Sequence, residues 1–132
     1  MERHSAVCFV PREDDKILVV WNRRYHGWTL PGGLVEPYDT TPRQAALREL
    51  WEEARGAADW IEEMYKGPAD PDKVEPHRAT YVHVFRVRLV RGCEPHEVEH
   101  GCPIDWMTLA EYLERVPFKV FYRKMCAEIG IQ

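Results

Sequence analysis

Two apolar, β-branched runs open the chain, Ser5 to Val10 and Ile17 to Asn22, separated by the charged turn Arg12-Glu13-Asp14-Asp15-Lys16. Short β-branched apolar runs bounded by a polar turn predict two strands. Thr80 to Val90, rich in Val, Tyr and Phe, predicts a longer strand, and Ile104 to Met107 a short one. Trp60 to Tyr65 reads as a strand, although Ile61-Glu62-Glu63-Met64 would also tolerate a helix. A 3.6-residue period predicts helices at Thr108 to Val116 and Phe118 to Ile129. In the second of these, Phe118, Phe121, Met125 and Ile129 share one face. Between Lys66 and His77, three prolines and a glycine in twelve residues exclude regular structure and predict a loop.

Thr41 to Gly56 predicts the best-marked helix. Thr41 is a favourable N-cap, Pro42 suits the first helical position, Gln44 completes a capping box, and Gly56 is a natural terminator. Ala46, Leu47, Leu50 and Ala54 form an apolar stripe for packing on a core. The opposite side carries Glu49, Glu52 and Glu53. At a helical pitch, Glu53 lies about 40° from Glu49, and Glu52 about 60° to the other side. Like charges at these spacings repel, and the last turns of a helix disfavour anions. Such a stripe is either a solvated acidic face or a site where a divalent cation offsets the repulsion.

Composition narrows the classes. The chain has 132 residues, enough for one domain with an adequate core, and we read it as a single domain over 1–132. A net charge of −4 argues against nonspecific attraction to a nucleic-acid backbone. No apolar run approaches a membrane span, and the N-terminal residues lack a signal-peptide pattern. Cys8, Cys93, Cys102 and Cys126 form no C-x-x-C pair and read as reduced thiols, which predicts a cytoplasmic protein.

What precedes the acidic helix changes the picture most. Trp28-Thr29-Leu30-Pro31-Gly32-Gly33 leads to Asp39 and then to Arg48-Glu49-Leu50-Trp51-Glu52-Glu53. This arrangement resembles the box of the Nudix hydrolase family, G-x5-E-x7-R-E-U-x-E-E-x-G-U with U apolar, here spanning 33–57. Three departures stand out. Asp39 replaces Glu, eight residues rather than seven separate it from Arg48, and Arg55 holds the box glycine position with Gly56 one step late. In the family the first acidic residue braces the loop through the box arginine; here either Asp39 or Glu36 can serve Arg48. The late glycine implies a slightly longer helix end.

The resemblance implies an α/β/α sandwich (α+β class) around a mixed sheet. It also implies Mg²⁺-dependent hydrolysis, with Mn²⁺ a possible substitute, of a phosphoanhydride in a nucleoside diphosphate linked to another moiety. Magnesium fits oxygen donors, neutralises phosphate charge and lowers the pKa of a bound water. By resemblance, Glu49, Glu52 and Glu53, with backbone oxygen from Gly33, hold metal, and Glu52 or Glu53 orients or deprotonates the water. A further carboxylate outside the box often assists in such enzymes, and Glu99 is favoured over Glu97. Gly32 and Gly33 border the substrate, and Arg23, ahead of Arg24, is a candidate phosphate clamp. Trp28 either stacks on a base or, more commonly for such a residue, packs beneath the loop. Tyr25 and the Tyr81/His83/Phe85 face are further base-contact candidates, with core packing as the other reading. Subgroups acting on ADP-ribose often carry a proline where this chain has Pro71. The alternative to catalysis is a noncatalytic nucleotide-binding module on the same fold. The expected partners are a nucleotide and, as in many similar enzymes, a second copy of the chain.

Overall fold

The computed structural model describes residues 3–69 and 79–131. Strands β1 (His4–Phe9), β4 (Gly32–Leu34), β5 (Ala58–Pro68) and β6 (Tyr81–Leu89) form one sheet in the order β4-β1-β6-β5. In it β1 and β6 run parallel while the outer pairs are antiparallel, so the sheet is mixed. Strands β2 (Lys16–Asn22), β3 (Gly27–Thr29) and β7 (Ile104–Thr108) form a second, antiparallel sheet in the order β3-β2-β7.

Helix α1 (Pro42–Ala54) covers one side, burying Ala45, Ala46, Leu50 and Ala54 against Ala6, Cys8, Leu18, Phe85 and Val87. Helices α2 (Leu109–Arg115) and α3 (Lys119–Ile129) cover the other, where Tyr112, Phe121 and Met125 meet Phe9, Val19 and Val84. The result is the expected α/β/α sandwich. The helical stripe is shifted by one position from expectation. Ala45 is buried, whereas Leu47 is only half-buried.

Thr41 caps α1 as predicted, its side chain accepting the Gln44 N–H at 3.1 Å. Thr108 and Glu111 form a full capping box on α2, so the helix expected from Thr108 begins at Leu109. Residues 58–68 are strand, not helix. Ile61 packs toward α1 and Met64 toward α3, the opposite-side placement that an odd spacing produces in a strand. Bulges between Ala58 and Trp60 and between Glu63 and Tyr65 shift the alternation and blur its period in the sequence. The expected loop after Lys66 starts later, because Lys66, Gly67 and Pro68 pair with His83, Val82 and Tyr81. Pro68 is tolerated as the last residue of an edge strand. Pro71 lies outside the described residues.

The end of α1 corrects a second expectation. Arg55, not Gly56, takes the left-handed conformation, with φ 54° and ψ 35°, and the helix stops at Ala54 without lengthening. Gly56 is needed for space instead: a Cβ there would lie 2.8 Å from Cδ1 of Leu50, which is fully buried. Arg55 is held by its own Nη1 donating to the Trp51 carbonyl at 2.8 Å and by its guanidinium over the Trp51 ring. A left-handed non-glycine residue costs about 1–2 kcal/mol. We therefore expect Arg55→Gly to stabilise the protein by about 1 kcal/mol in chemical denaturation. Gly56→Ala should instead destabilise it by about 1–3 kcal/mol through overpacking on Leu50.

Candidate active site

Strand β4 is three residues long; the β1 backbone leaves no room for a side chain at Gly32, and at Gly33 a side chain would displace the Glu49 carboxylate. A Cβ on Gly32 would fall 2.7 Å from the Cα of Val7 on β1, and one on Gly33 would fall 2.7 Å from Oε1 of Glu49 on α1. The bare backbone lets α1 lie on β4 with its carboxylates against the chain. Glu53 Oε1 accepts the Gly32 N–H at 2.7 Å. The neighbouring Glu49 carboxylate disfavours ionisation of Glu53.

Burial, reinforced by the neighbouring Glu49, pushes the Glu53 carboxyl up to about 8, against the opposing pull of the Gly32 N–H. Burial also raises Glu49, opposed by Arg48. The floor beneath them is apolar: Cys8 is fully buried, its thiol donates to the Ala46 carbonyl at 3.3 Å, and burial raises its pKa. Cys8 is thus no nucleophile.

Arg48 organises the outer part of the stripe. Its Nε and Nη2 donate to the two oxygens of Asp39 at 3.0 and 2.9 Å, a bidentate fork, and Nη2 reaches the Leu34 carbonyl at 3.3 Å. Its Nη1 donates to Glu49 at 2.9 Å and Glu52 at 3.2 Å. The fork holds the Asp39 carboxyl below its ordinary range. Between the two candidates for bracing Arg48, the structure chooses Asp39; Glu36 enters through its backbone, its N–H donating to the Asp39 carboxylate at 2.8 Å and its carbonyl accepting the Asp39 N–H at 2.9 Å.

Three glutamates, hard oxygen donors throughout, thus lie along one side of α1. Among the described residues no three His, Cys, Asp or Glu side chains converge on a single ion position, because Arg48 Nη1 lies between Glu49 and Glu52 while Glu53 turns to Gly32. The Glu49–Glu53 pair nevertheless fits a hard divalent cation, which would offset the repulsion between the two carboxylates and keep several waters of its own.

On its other side β4 borders a cavity of about 220 Å³, lined by Gly32, Gly33, Leu34, Ser5 and Val7 together with residues of the β2–β3 hairpin and α3. Tyr25, a base-contact candidate, lines it and meets Phe118 edge-on at 4.6 Å between ring centroids. Arg24 lines it; Arg23 does not. Arg23 instead donates to the His100 carbonyl and pairs with Glu99 at 3.4 Å, so two residues read from the sequence for separate roles hold each other at the surface. The segment carrying Glu97 and Glu99 docks on the end of α1 through the His96 N–H, which donates to the Ala54 carbonyl at 3.0 Å.

Trp28 takes its packing role, half-buried and edge-on to Trp21 at 5.4 Å. Phe85 is in the core. His83 is nine-tenths buried and bonded to His4 at 2.8 Å and Glu63 at 3.3 Å, away from the cavity. Sequence reasoning missed Asn22, Thr29 and Tyr122 as cavity residues. No motif marks them, since each reads as an ordinary strand-end or helix residue.

Comparison with known proteins agrees with this geometry. The NUDIX domain family matches residues 1–129. A human diphosphoinositol polyphosphate phosphohydrolase 3-alpha is 30% identical over 87% of this chain and 77% of its own length. A MutT-like protein of Streptomyces ambofaciens is 32% identical over 85% and 68%. Among solved structures, MutT from work on Aliivibrio salmonicida and Vibrio cholerae superposes with a TM-score of 0.71 at 18% identity, covering 98% of both chains. The NUDIX domain of Shewanella oneidensis NrtR, complexed with ADP ribose, gives 0.70 at 19%, covering 97% of this chain and 88% of that one. A diglycine strand pressed against a glutamate helix, matched over nearly the whole chain, makes this protein a member of the Nudix hydrolase family.

Proposed function

We propose that this chain hydrolyses a phosphoanhydride of a nucleoside diphosphate linked to a second moiety, with Mg²⁺ and by in-line attack of water at phosphorus. One observation carries the reading: Gly32 and Gly33 border the cavity on one side and the Glu49–Glu53 pair on the other. A nucleoside in the cavity therefore has its phosphates delivered to the carboxylates. Glu49 and Glu53 would hold the metal, with the Gly33 carbonyl as a neighbouring oxygen donor. Bound magnesium supplies charge neutralisation at the phosphates and a more acidic water. Glu52 is the most exposed of the three and meets Arg48 through one oxygen, so we assign it the orientation of the attacking water. Arg24, on the cavity wall, contacts phosphate oxygens, while the Arg23–Glu99 pair positions the segment docked on the end of α1.

A second reading comes from relatives whose names specify diphosphoinositol polyphosphates. Such a substrate carries many phosphates around a non-planar ring and needs a strongly basic site. Among the described lining residues Arg24 is the one charged side chain, the other walls being apolar, aromatic or neutral polar. That composition favours a nucleoside. Release of mononucleotide, phosphate or pyrophosphate from a nucleotide panel, measured beside a diphosphoinositol polyphosphate, decides between the two. Turnover of the inositol compound alone would overturn our reading.

With the preferred nucleotide, Glu53→Gln and Glu49→Gln should each lower kcat by about 10²–10⁴-fold, with circular dichroism unchanged. Chelation should abolish turnover and added Mg²⁺ restore it. Wild-type-like rates in both variants would refute the metal assignment.

The Glu53 shift also predicts a stability profile for the metal-free protein. Its folded pKa is raised above the ordinary 4.5 to about 8, so the folded state keeps a proton that the unfolded state loses. The contribution is fully present below pH 4.5 and is lost as pH rises toward 8. Thermal unfolding in chelator should show stability falling across this window by on the order of a few kcal/mol. Glu53→Gln should flatten the slope; an unchanged slope would show that Glu53 titrates normally.

A further inference from the structure

Two polar side chains in the cavity wall have hydrogen-bonding capacity that the fold leaves unused. Thr29 is 7% exposed, lines the cavity, and its hydroxyl bonds no other described residue. A buried hydroxyl without a partner is unfavourable and uncommon, and when it faces a cavity it points to a ligand or an ordered water.

Asn22 is committed in one direction only. Its Oδ1 accepts the backbone N–H of Arg24 at 2.9 Å and of Tyr25 at 3.3 Å, closing the start of the β2–β3 turn. Since two N–H donors can be satisfied only by the amide oxygen, the carboxamide cannot flip, and its Nδ2 presents donors and no acceptor. The β2–β3 ladder pairs Val20 with Thr29 and Asn22 with Gly27, so Asn22 and Thr29 are diagonal neighbours on one face of the hairpin. Both line the cavity, as do the rings of Tyr25, Phe118, Phe121 and Tyr122.

We propose that Asn22 and Thr29 form the edge-reading element of this cavity, selecting a flat, uncharged heterocycle that turns hydrogen-bond acceptors toward the hairpin. The inference rests on the cavity being the nucleoside site. Its chemistry follows from the donor set. Asn22 offers fixed donors, Thr29 offers a hydroxyl that rotates to suit, and the aromatic rings favour a planar partner. A ring carbonyl or unprotonated ring nitrogen satisfies both groups. Among the described lining residues, a phosphate at this edge would have no cation other than Arg24 to meet it. Discrimination by such an edge is strong, because a ligand lacking the acceptor leaves buried donors unpaired.

Two nearly isosteric substitutions test the assignment. In Asn22→Asp the capping oxygen is retained, so the turn persists while the donors become acceptors. In Thr29→Val the hydroxyl is removed at equal shape. Kinetics on the preferred nucleoside triphosphate and on ribose 5-triphosphate, which lacks a base, separate edge reading from general repulsion of phosphate. We expect the ratio of kcat/KM for the nucleotide to that for the abasic analogue to fall about tenfold or more in Asn22→Asp, and several-fold in Thr29→Val. The change should lie mainly in KM, with matching losses in calorimetric binding of the nucleoside monophosphate. Thr29→Val should have an unchanged or higher Tm, since it removes an unsatisfied polar group. An unchanged ratio in both variants overturns the proposal, as does a lower Tm with unaltered KM in Thr29→Val, which would make the hydroxyl structural. Absence of wild-type turnover on any nucleotide is a separate result and refutes the hydrolase reading itself.

Discussion

Glu53 and the Gly32 N–H lie 2.7 Å apart, and that contact sets the distance between helix α1 and strand β4. The approach is possible only because β4 carries no Cβ where it meets its neighbours, Val7 under Gly32 and Glu49 over Gly33. A side chain at Gly32 would collide with the β1 backbone, and one at Gly33 would displace the Glu49 carboxylate from its place beside the strand. The same closeness strips water from Glu53 and Glu49 and raises both. A carboxyl pair held this way stores unfavourable electrostatics that a proton or a divalent cation relieves. The steric and the chemical demands are therefore one constraint.

Arg48 extends that constraint outward. A guanidinium bound in a fork by Asp39 cannot swing, so its remaining nitrogen stays on Glu49 and Glu52 and holds the stripe in register. The loop from Leu34 to Asp39 is tied down by the same residue through the Leu34 carbonyl. Asp is one methylene shorter than Glu, yet Asp39 still makes a two-point contact with Arg48.

Strand β4 also explains why the carboxylate stripe and the cavity share a wall. It pairs with β1 at the edge of the mixed sheet, presenting one side to α1 and the other to the space beneath the β2–β3 hairpin and α3. The hairpin brings Asn22, Arg24, Tyr25 and Thr29 there, and α3 contributes Phe121 and Tyr122. A ligand bridging the two compartments crosses a strand only three residues long.

Much of this was legible along the chain because its causes are local. Capping by Thr41, the acidic stripe at helical spacing and the strand pattern of Tyr81–Leu89 each depend on residues within a few positions of one another. Pairings across the fold were not legible. Asp39 rather than Glu36 takes Arg48, and Arg23 turns to Glu99 instead of the cavity, because loop geometry decides which of two equally suitable charges comes within reach. The left-handed Arg55, held on the Trp51 carbonyl and ring, and the close approach of Leu50 to Gly56 both depend on packing at the helix end. Strands β3 and β4 carry no periodic signal, being three residues each and dependent on their neighbours for every ladder bond. Residue types and their spacing marked the fold and set three carboxylates on one side of α1; which polar groups stay unpaired in the cavity was decided only when distant strands packed together.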